Sequence, residues 1–324
     1  LMVNKHPEAD LWIYNYTAQT QYERHWNPLT LMCRGLILDA NWNIVARPFP
    51  KFFNLGEFEN QPIPNLPFEV YDKLDGSLGI LYWWEGKPYI ASRGSFSGEQ
   101  AMKATELLHG QYAQLLPSLN REVTYLFEII YPENRIVVDY GKTEALVLLA
   151  MIETQSGNEL PLADIGFPMA KRFDGIKDIQ VLKAMENDEK EGFVIRFSNN
   201  YRLKLKFSEY LRLHRVLTQV STKTIWEYLK TNKPFDELLE RVPDEFFEWV
   251  KSVVEQLQEK YQQIENQCKS EFKVLETRKE TAVYFQTCAF PKILFLMLDN
   301  KPYSSEIWKY LKPKYEKPFK KSVE

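Results

Sequence analysis

The chain has 324 residues, of which 44% are hydrophobic and 26% charged, and a net charge of −3. That composition excludes a disordered chain, and the length exceeds what one core usually serves, so two domains are expected. A near-neutral balance provides no overall field, so any contact with nucleic acid has to come from a local patch.

Cys33, Cys268 and Cys288 are widely spread, with no C-x-x-C or Cys/His cluster. They suggest neither a disulfide framework nor a zinc site and fit a reducing compartment. The amino-terminal stretch lacks a basic-then-apolar signal pattern, and the most apolar late stretch, Ala289 to Leu298, is short and interrupted by Lys292. A cytoplasmic protein without a membrane partner is the expectation.

Leu11 to Tyr16 alternates like a strand and is followed by a polar loop to Thr30. Cys33 to Asp39 reads as a second strand, turned back at Asn41-Trp42-Asn43 into Ile44 to Arg47, and Pro48 and Pro50 end regular structure. Phe68 to Lys73 is a third strand, with Asp75-Gly76 turning it into a hairpin whose return strand is Ser77 to Trp84. Trp83 and Trp84 must face opposite sides of that sheet.

Lys87 to Ser92 follows a Glu85-Gly86 turn, and a helix is expected over Glu99 to Leu116. Val123 to Ile130 is an apolar strand interrupted by Glu128, and Ile136-Val137-Val138 and Ala145 to Ile152 are expected to extend the sheets. After a short helix over Lys177 to Asn187, Glu191 to Phe207 reads as a hairpin turned at Asn199-Asn200. Its alternation sends Lys204 and Lys206 to one face and Leu203, Leu205 and Phe207 to the other.

No glycine occurs from Ser208 to Glu324, and helix-forming residues recur there at three- and four-residue spacing. Helices are expected over Tyr210 to Val220, Thr224 to Lys230, Asp244 to Glu276 and Pro302 to Leu311. The reading is an α+β chain: a mainly antiparallel domain over residues 1–207 and an all-helical domain over 208–324. Six lysines between Lys309 and Lys321 read as a solvated tail in preference to an RNA-backbone contact.

The chemistry gathers around Lys73-Leu74-Asp75-Gly76. A strand-ending lysine beside a turn is a candidate nucleophile, because Gly76 lets the backbone approach a ligand closely. Attack on phosphorus requires the neutral amine, which desolvation and neighbouring cations favour. Alone the pattern is weak, since three fixed residue types in four positions arise by chance in about one chain in ten of this length. Arg172-Phe173-Asp174-Gly175 has nearly the same shape, yet a guanidinium cannot serve.

Taken singly, Glu128, Glu191, Lys204 and Lys206 each have a plain structural explanation. Together with Lys73 they match what displacing pyrophosphate from a nucleotide requires: an in-line nucleophile, hard-oxygen partners for a divalent cation, and cations for the phosphates. His6, His25, His109 and His214 show no metal-ligand spacing, and Ser77 and Ser92 have no histidine pattern for a hydrolase.

These residues resemble the covalent nucleotidyltransferases, and within them the bacteriophage RNA ligase 1 type. Lys73-Leu74-Asp75-Gly76 is similar to the nucleophile motif. Leu126-Phe127-Glu128, Asn134-Arg135-Ile136-Val137, Glu191-Gly192-Phe193-Val194 and Leu203-Lys204-Leu205-Lys206 follow in the family's order. Upstream, Tyr14-Asn15-Tyr16, Cys33-Arg34-Gly35 and Arg47 to Asn54 resemble the narrower ligase elements. Where the family carries Ser-Lys-Gly-Ser this chain has Ser92-Arg93-Gly94-Ser95, which keeps the charge and changes its geometry.

The resemblance, spanning about Trp12 to Phe207, implies an ATP-dependent RNA ligase. Lys73 would become adenylylated; Glu128 and Glu191 would bind the nucleotide or a Mg or Mn ion, directly or through water. Lys204 and Lys206 would contact phosphates, Arg34 and Lys51 would grip the triphosphate, and Arg93 would be a further ATP-binding residue. Phe53 and Gly76 would line the nucleotide pocket, Tyr14 would support it, and Asp75 would orient the RNA end or a metal-bound water.

The implied partner is RNA with 5′-phosphate and 3′-hydroxyl ends, with the helical domain as specificity module and an end-healing kinase or phosphatase as companion. Repair of RNA, tRNA included, would be the role. DNA ligases and GTP-using capping enzymes are rivals, but they usually carry a β-barrel after the last motif, which the glycine-free tail disfavours. A non-catalytic RNA-binding protein is disfavoured because every charged motif position is filled.

Overall fold

Strand alternation and turn chemistry build three sheets in the first part of the chain. The computed structural model describes residues 1–313 other than 60, 186–189, 209, 212–213, 215–219, 235–237, 240–241 and 243–245. It divides into two compact units, Leu1–His214 and Arg215–Glu324.

In the first unit, β1 (Met2–Lys5), β2 (Leu11–Asn15), β3 (Arg34–Asp39) and β4 (Ile44–Ala46) form an antiparallel meander. The stretch expected as a loop before β3 holds two short capped helices, α1 (Ala18–Tyr22) and α2 (Pro28–Met32). A third sheet contains β5 (Phe53–Asn54), β6 (Phe68–Lys73), β12 (Arg172–Phe173), β13 (Gly192–Phe197) and β14 (Arg202–Lys206), in the order β12-β6-β13-β14-β5.

A further sheet has the order β11-β10-β9-β7-β8, made of β7 (Ser77–Trp84), β8 (Lys87–Ser92), β9 (Val123–Ile130), β10 (Ala145–Glu153) and β11 (Glu159–Leu160). Its two faces are both covered. Phe127, Ile129, Leu81 and Ile90 pack against Leu107 and Leu108 of helix α3 (Glu99–His109), while Ile80, Leu126 and Ala150 pack against Ile13 and Ile37 of the first sheet. Trp83 joins the first cluster and Trp84 the second, as alternation requires.

The third sheet buries Val70, Phe193, Ile195, Phe197, Leu203, Leu205 and Phe207 on one face. Each such side chain contributes roughly 1.5–3 kcal/mol of burial. Alternation leaves Lys73, Lys204 and Lys206 together on the opposite face.

Three local expectations are corrected. The helix from Glu99 ends at His109, because the chain leaves helical geometry at Gly110, and a 3-10 turn holding Pro117 follows over Ala113–Ser118. Ile136-Val137-Val138 is not a strand; its amides serve a carboxylate described below. Most important, β6 and β7 do not form a hairpin. β6 pairs with β12 and β13, and β7 with β8 and β9, so Leu74 to Gly76 carries the chain from one sheet to another.

The second unit is helical over Thr222–Thr231, Phe247–Glu271, Arg278–Thr287, Pro291–Leu298 and Ser304–Tyr310. Ser221 and Thr277 cap two of these helices, and Cys268, Phe285, Ile293, Leu294 and Ile307 form a core. The expected helix over Asp244 to Glu276 ends earlier, at Glu271, and its first two residues, 244 and 245, lie outside the described residues. Most of the expected helix at Tyr210 to Val220, and all but the start of the lysine-rich tail, lie outside the described residues. No helix among the described residues is long and apolar enough to cross a membrane.

Candidate active site

Lys73 is the last residue of β6 and pairs across to Gly192, which on its other side pairs with Lys206. Three adjacent strands therefore bring two lysines to either side of a residue without a side chain, and Glu191 precedes it. One Glu191 oxygen lies 2.7 Å from Lys73 Nζ and the other 3.1 Å from Lys206 Nζ, with the glutamate only 3% exposed. Burial pushes the Glu191 carboxyl upward, and the two ammonium groups outweigh it, holding the pKa below the usual range.

Glu128 reaches the same place from β9, on the face shared with Leu126. Its Oε1 accepts a 2.9 Å hydrogen bond from the Gly76 amide. Burial pushes its pKa up to about 7, with Lys73 opposing and Glu191 adding to the rise. Gly76 is required for this approach: a Cβ there would stand 2.6 Å from the Ile129 carbonyl oxygen and 3.1 Å from Glu128 Cγ.

Asp75 is 3% exposed and turned inward. Its Oδ2 accepts from the Val137 and Val138 amides at 2.7 Å each, its Oδ1 from the Tyr210 hydroxyl at 2.8 Å, and its own amide donates to the Tyr140 hydroxyl at 2.9 Å. Both carboxylate oxygens are thus engaged by donors of the chain itself. Asp75 is a latch that fixes the segment after β9. A cavity of about 550 Å³ opens beside Lys73, lined among others by Asp72, Leu74, Val137, Val138 and Tyr140. That volume lies in the range of small-molecule sites.

A second group of cations is arranged on aromatic faces. The Lys51 ammonium lies over Tyr16, Trp26 and Phe53, the Arg93 guanidinium over Tyr16, and Arg34 and Lys204 over Phe52. Tyr14 is not brought here: its ring packs at 6.1 Å from Trp42, whereas Tyr16, past a bulge at Tyr14/Asn15, takes the inner position. Tyr16, Trp26, Tyr140 and Tyr210 were not singled out by the sequence. The Tyr-x-Tyr spacing admitted either tyrosine, and the other three carry no periodic signal. Arg172 of the look-alike motif pairs with Glu69 and Asp174.

No group of three or more His, Cys, Asp or Glu side chains suited to a metal occurs among the described residues. The donor set here is Glu128 and Glu191, the latter already shared by two lysines. It fits a hydrated hard cation carried by phosphate oxygens and does not fit an all-protein cage.

A strand-end lysine flanked by carboxylates from two neighbouring sheets, with paired lysines on the next strand but one, defines the class of covalent nucleotidyltransferases. A family model described as RNA ligase matches residues 32–211, more than half of the chain, and the chain belongs to that family. It is 25% identical to the RNA ligase of Rhodothermus phage RM378, across 82% of this chain and 76% of that protein. It is 28% identical to an Autographa californica nuclear polyhedrosis virus protein named as a bifunctional polynucleotide kinase/RNA ligase, across 74% of this chain and 39% of the relative, so the chain spans well under half of that protein's length. Among solved structures, the Naegleria gruberi RNA ligase with pyrophosphate is similar at 20% identity and a TM-score of 0.39, over 46% of this chain and 52% of that one.

Proposed function

We propose that the chain is an ATP-dependent RNA ligase that joins 5′-phosphate and 3′-hydroxyl RNA ends through a lysyl-AMP at Lys73. The observation that carries the reading is the Lys73–Glu191–Lys206 cluster, 2.7 and 3.1 Å across, of which Lys73 and Glu191 line the 550 Å³ cavity. Lys73 Nζ would attack the α-phosphorus, forming the P–N bond as the bond to the bridging oxygen breaks and pyrophosphate leaves. Before attack it has to release both the carboxylate and its proton, and Lys206, already on Glu191, keeps that carboxylate paired.

An RNA 5′-phosphate oxygen then takes the adenylyl group from Lys73, and a 3′-hydroxyl displaces AMP from the activated end. Dividing one condensation into three transfers is the general use of a covalent intermediate. Arg34, Lys51, Arg93 and Lys204 suit the polyphosphate, and the cavity lined by Leu74, Val137 and Tyr140 suits the base. A bound Mg or Mn ion would offset phosphate charge, with Glu128 and Glu191 as its nearest carboxylates.

We assign choice of RNA to the helical unit after His214, and the kinase named in the baculovirus relative supports a role in repair beside an end-healing enzyme. Radiolabelled ATP and GTP, offered in parallel with 5′-phosphate RNA and DNA acceptors, test the reading. Labelling by ATP and sealing of RNA support it; labelling by GTP alone, or sealing of DNA alone, contradicts it.

A further inference from the structure

Arg93 stands just past the end of β8, in the loop 93–98 that leads to α3. Its side chain is exposed, so the direction of the guanidinium depends on where the backbone starts it, and that backbone is tied to the first sheet. Asn15, at the end of β2, donates from Nδ2 to the Arg93 carbonyl at 3.0 Å, and Asn4 of β1 donates from Nδ2 to the Gly94 carbonyl at 2.6 Å. Gly35 of β3 completes the seat: a Cβ there would stand 3.0 Å from the Arg93 carbonyl oxygen and 3.4 Å from its Cα. Three neighbouring strands thus hold two consecutive peptide groups.

Stability alone does not account for an amide at position 15. Asn15 is only 4% exposed, and its Oδ1 finds no hydrogen-bond partner among the described residues. A buried acceptor left unpaired destabilises the fold, and the other inward positions of β2 hold Leu11 and Ile13. What Asn15 has and they lack is the donor to Arg93. The next residue, Tyr16, meets the other end of the same arginine: its hydroxyl accepts from Arg93 Nη1 at 3.5 Å, and its ring centre is 5.7 Å from the guanidinium. Two consecutive residues therefore hold Arg93 by its carbonyl and by its head.

We propose that Asn15 is a positioning residue for nucleotide binding: it sets the Arg93 backbone so that the guanidinium, steadied on Tyr16, meets the polyphosphate. This rests on the ATP-dependent reading above. Asn15 touches no reacting atom and acts through Arg93. Asn4, whose bond is open to water, is a second and weaker tie on the same loop.

A double-mutant cycle in the full chain tests this, with Asn15→Ala, Asn15→Val and Asn4→Ala each made alone and together with Arg93→Ala. Valine keeps an apolar, strand-forming side chain at the inward position, so a folded chain is compared even where alanine leaves a cavity. The readout is the dissociation constant for α,β-methylene-ATP by calorimetry, an analogue whose bond to the leaving group Lys73 cannot break, so binding is measured without turnover. Either Asn15 variant is expected to weaken binding about tenfold and Asn4→Ala about threefold, the range of one lost hydrogen bond, with no further weakening once Arg93 is alanine. A merely structural role would weaken binding by the same factor in both backgrounds. That result overturns the proposal, as does unchanged binding in both Asn15 variants or binding that Arg93→Ala leaves intact. The unmodified chain is also offered ATP: absence of an adduct overturns the ligase reading, whereas an adduct beside a failed cycle overturns the Asn15 proposal alone.

Discussion

Glu128 carries a carboxyl that burial brings into the neutral range. With its pKa near 7 in the folded chain against an ordinary 4.5, the native state binds more protons than the unfolded one between those values. Stability therefore falls as pH rises through that window, by at most on the order of 2–3 kcal/mol because the side chain keeps some access to the cleft. Glu128→Gln is expected to flatten that slope in chemical denaturation followed from pH 4.5 to pH 8, and to remove the rise of adenylylation near neutrality if the ionised carboxylate serves the nucleotide. Glu191 has the opposite sign: its depressed pKa contributes stability that is present at neutral pH and lost as acid protonates it below the ordinary carboxylate value. Glu128 was legible because a charge interrupts an apolar strand, and Lys204 and Lys206 because alternation sends both to one face; Lys73 and Glu191 became legible as members of the same constellation. Tyr16 was not, since it stands just past the end of β2, where the extra residue of the register shift, Gly35, lies on the partner strand β3 and strand alternation no longer fixes which way the ring turns.

At the scale of elements, the crossing at Leu74 to Gly76 is what places an amine between two sheets. Asp75-Gly76 looks like a hairpin turn locally, but the strand that occupies the edge beyond Lys73 is β13, more than a hundred residues later, and no local signal records it. The glycine is needed for closeness in place of turn geometry. Gly76→Ala would drive a methyl into the Ile129 carbonyl, and a loss of about 1–3 kcal/mol in thermal stability is expected, with adenylylation reduced at least tenfold. The Asp75 latch joins the same crossing to the Val137–Val138 amides and to Tyr210. Removing one hydroxyl, as in Tyr210→Phe, costs about 1.5–3 kcal/mol for a bond to a charged group, and slower adduct formation at unchanged secondary structure is the expected readout. Val137 and Val138 read as strand residues because they are β-branched, yet their amides are used by a carboxylate, a demand invisible to side-chain pattern.

For the whole molecule, glycine content and helical spacing were enough to separate a sheet-rich first part from a helical second part, and the contacts divide the chain at His214. All the candidate site residues named from the sequence belong to the first unit. A chain ending after His214 is accordingly expected to retain self-adenylylation and to lose discrimination among RNA ends, measured as relative sealing of nicked, looped and free substrates; unchanged discrimination would free the helical unit from that task. The account depends most directly on where the nucleotide becomes attached. Incubation of the intact chain with ATP and a divalent cation, followed by peptide mass mapping, is expected to find AMP on the peptide containing Lys73 and none after Lys73→Ala. Adduct on another residue, or adduct that persists in the Lys73→Ala chain, would contradict it.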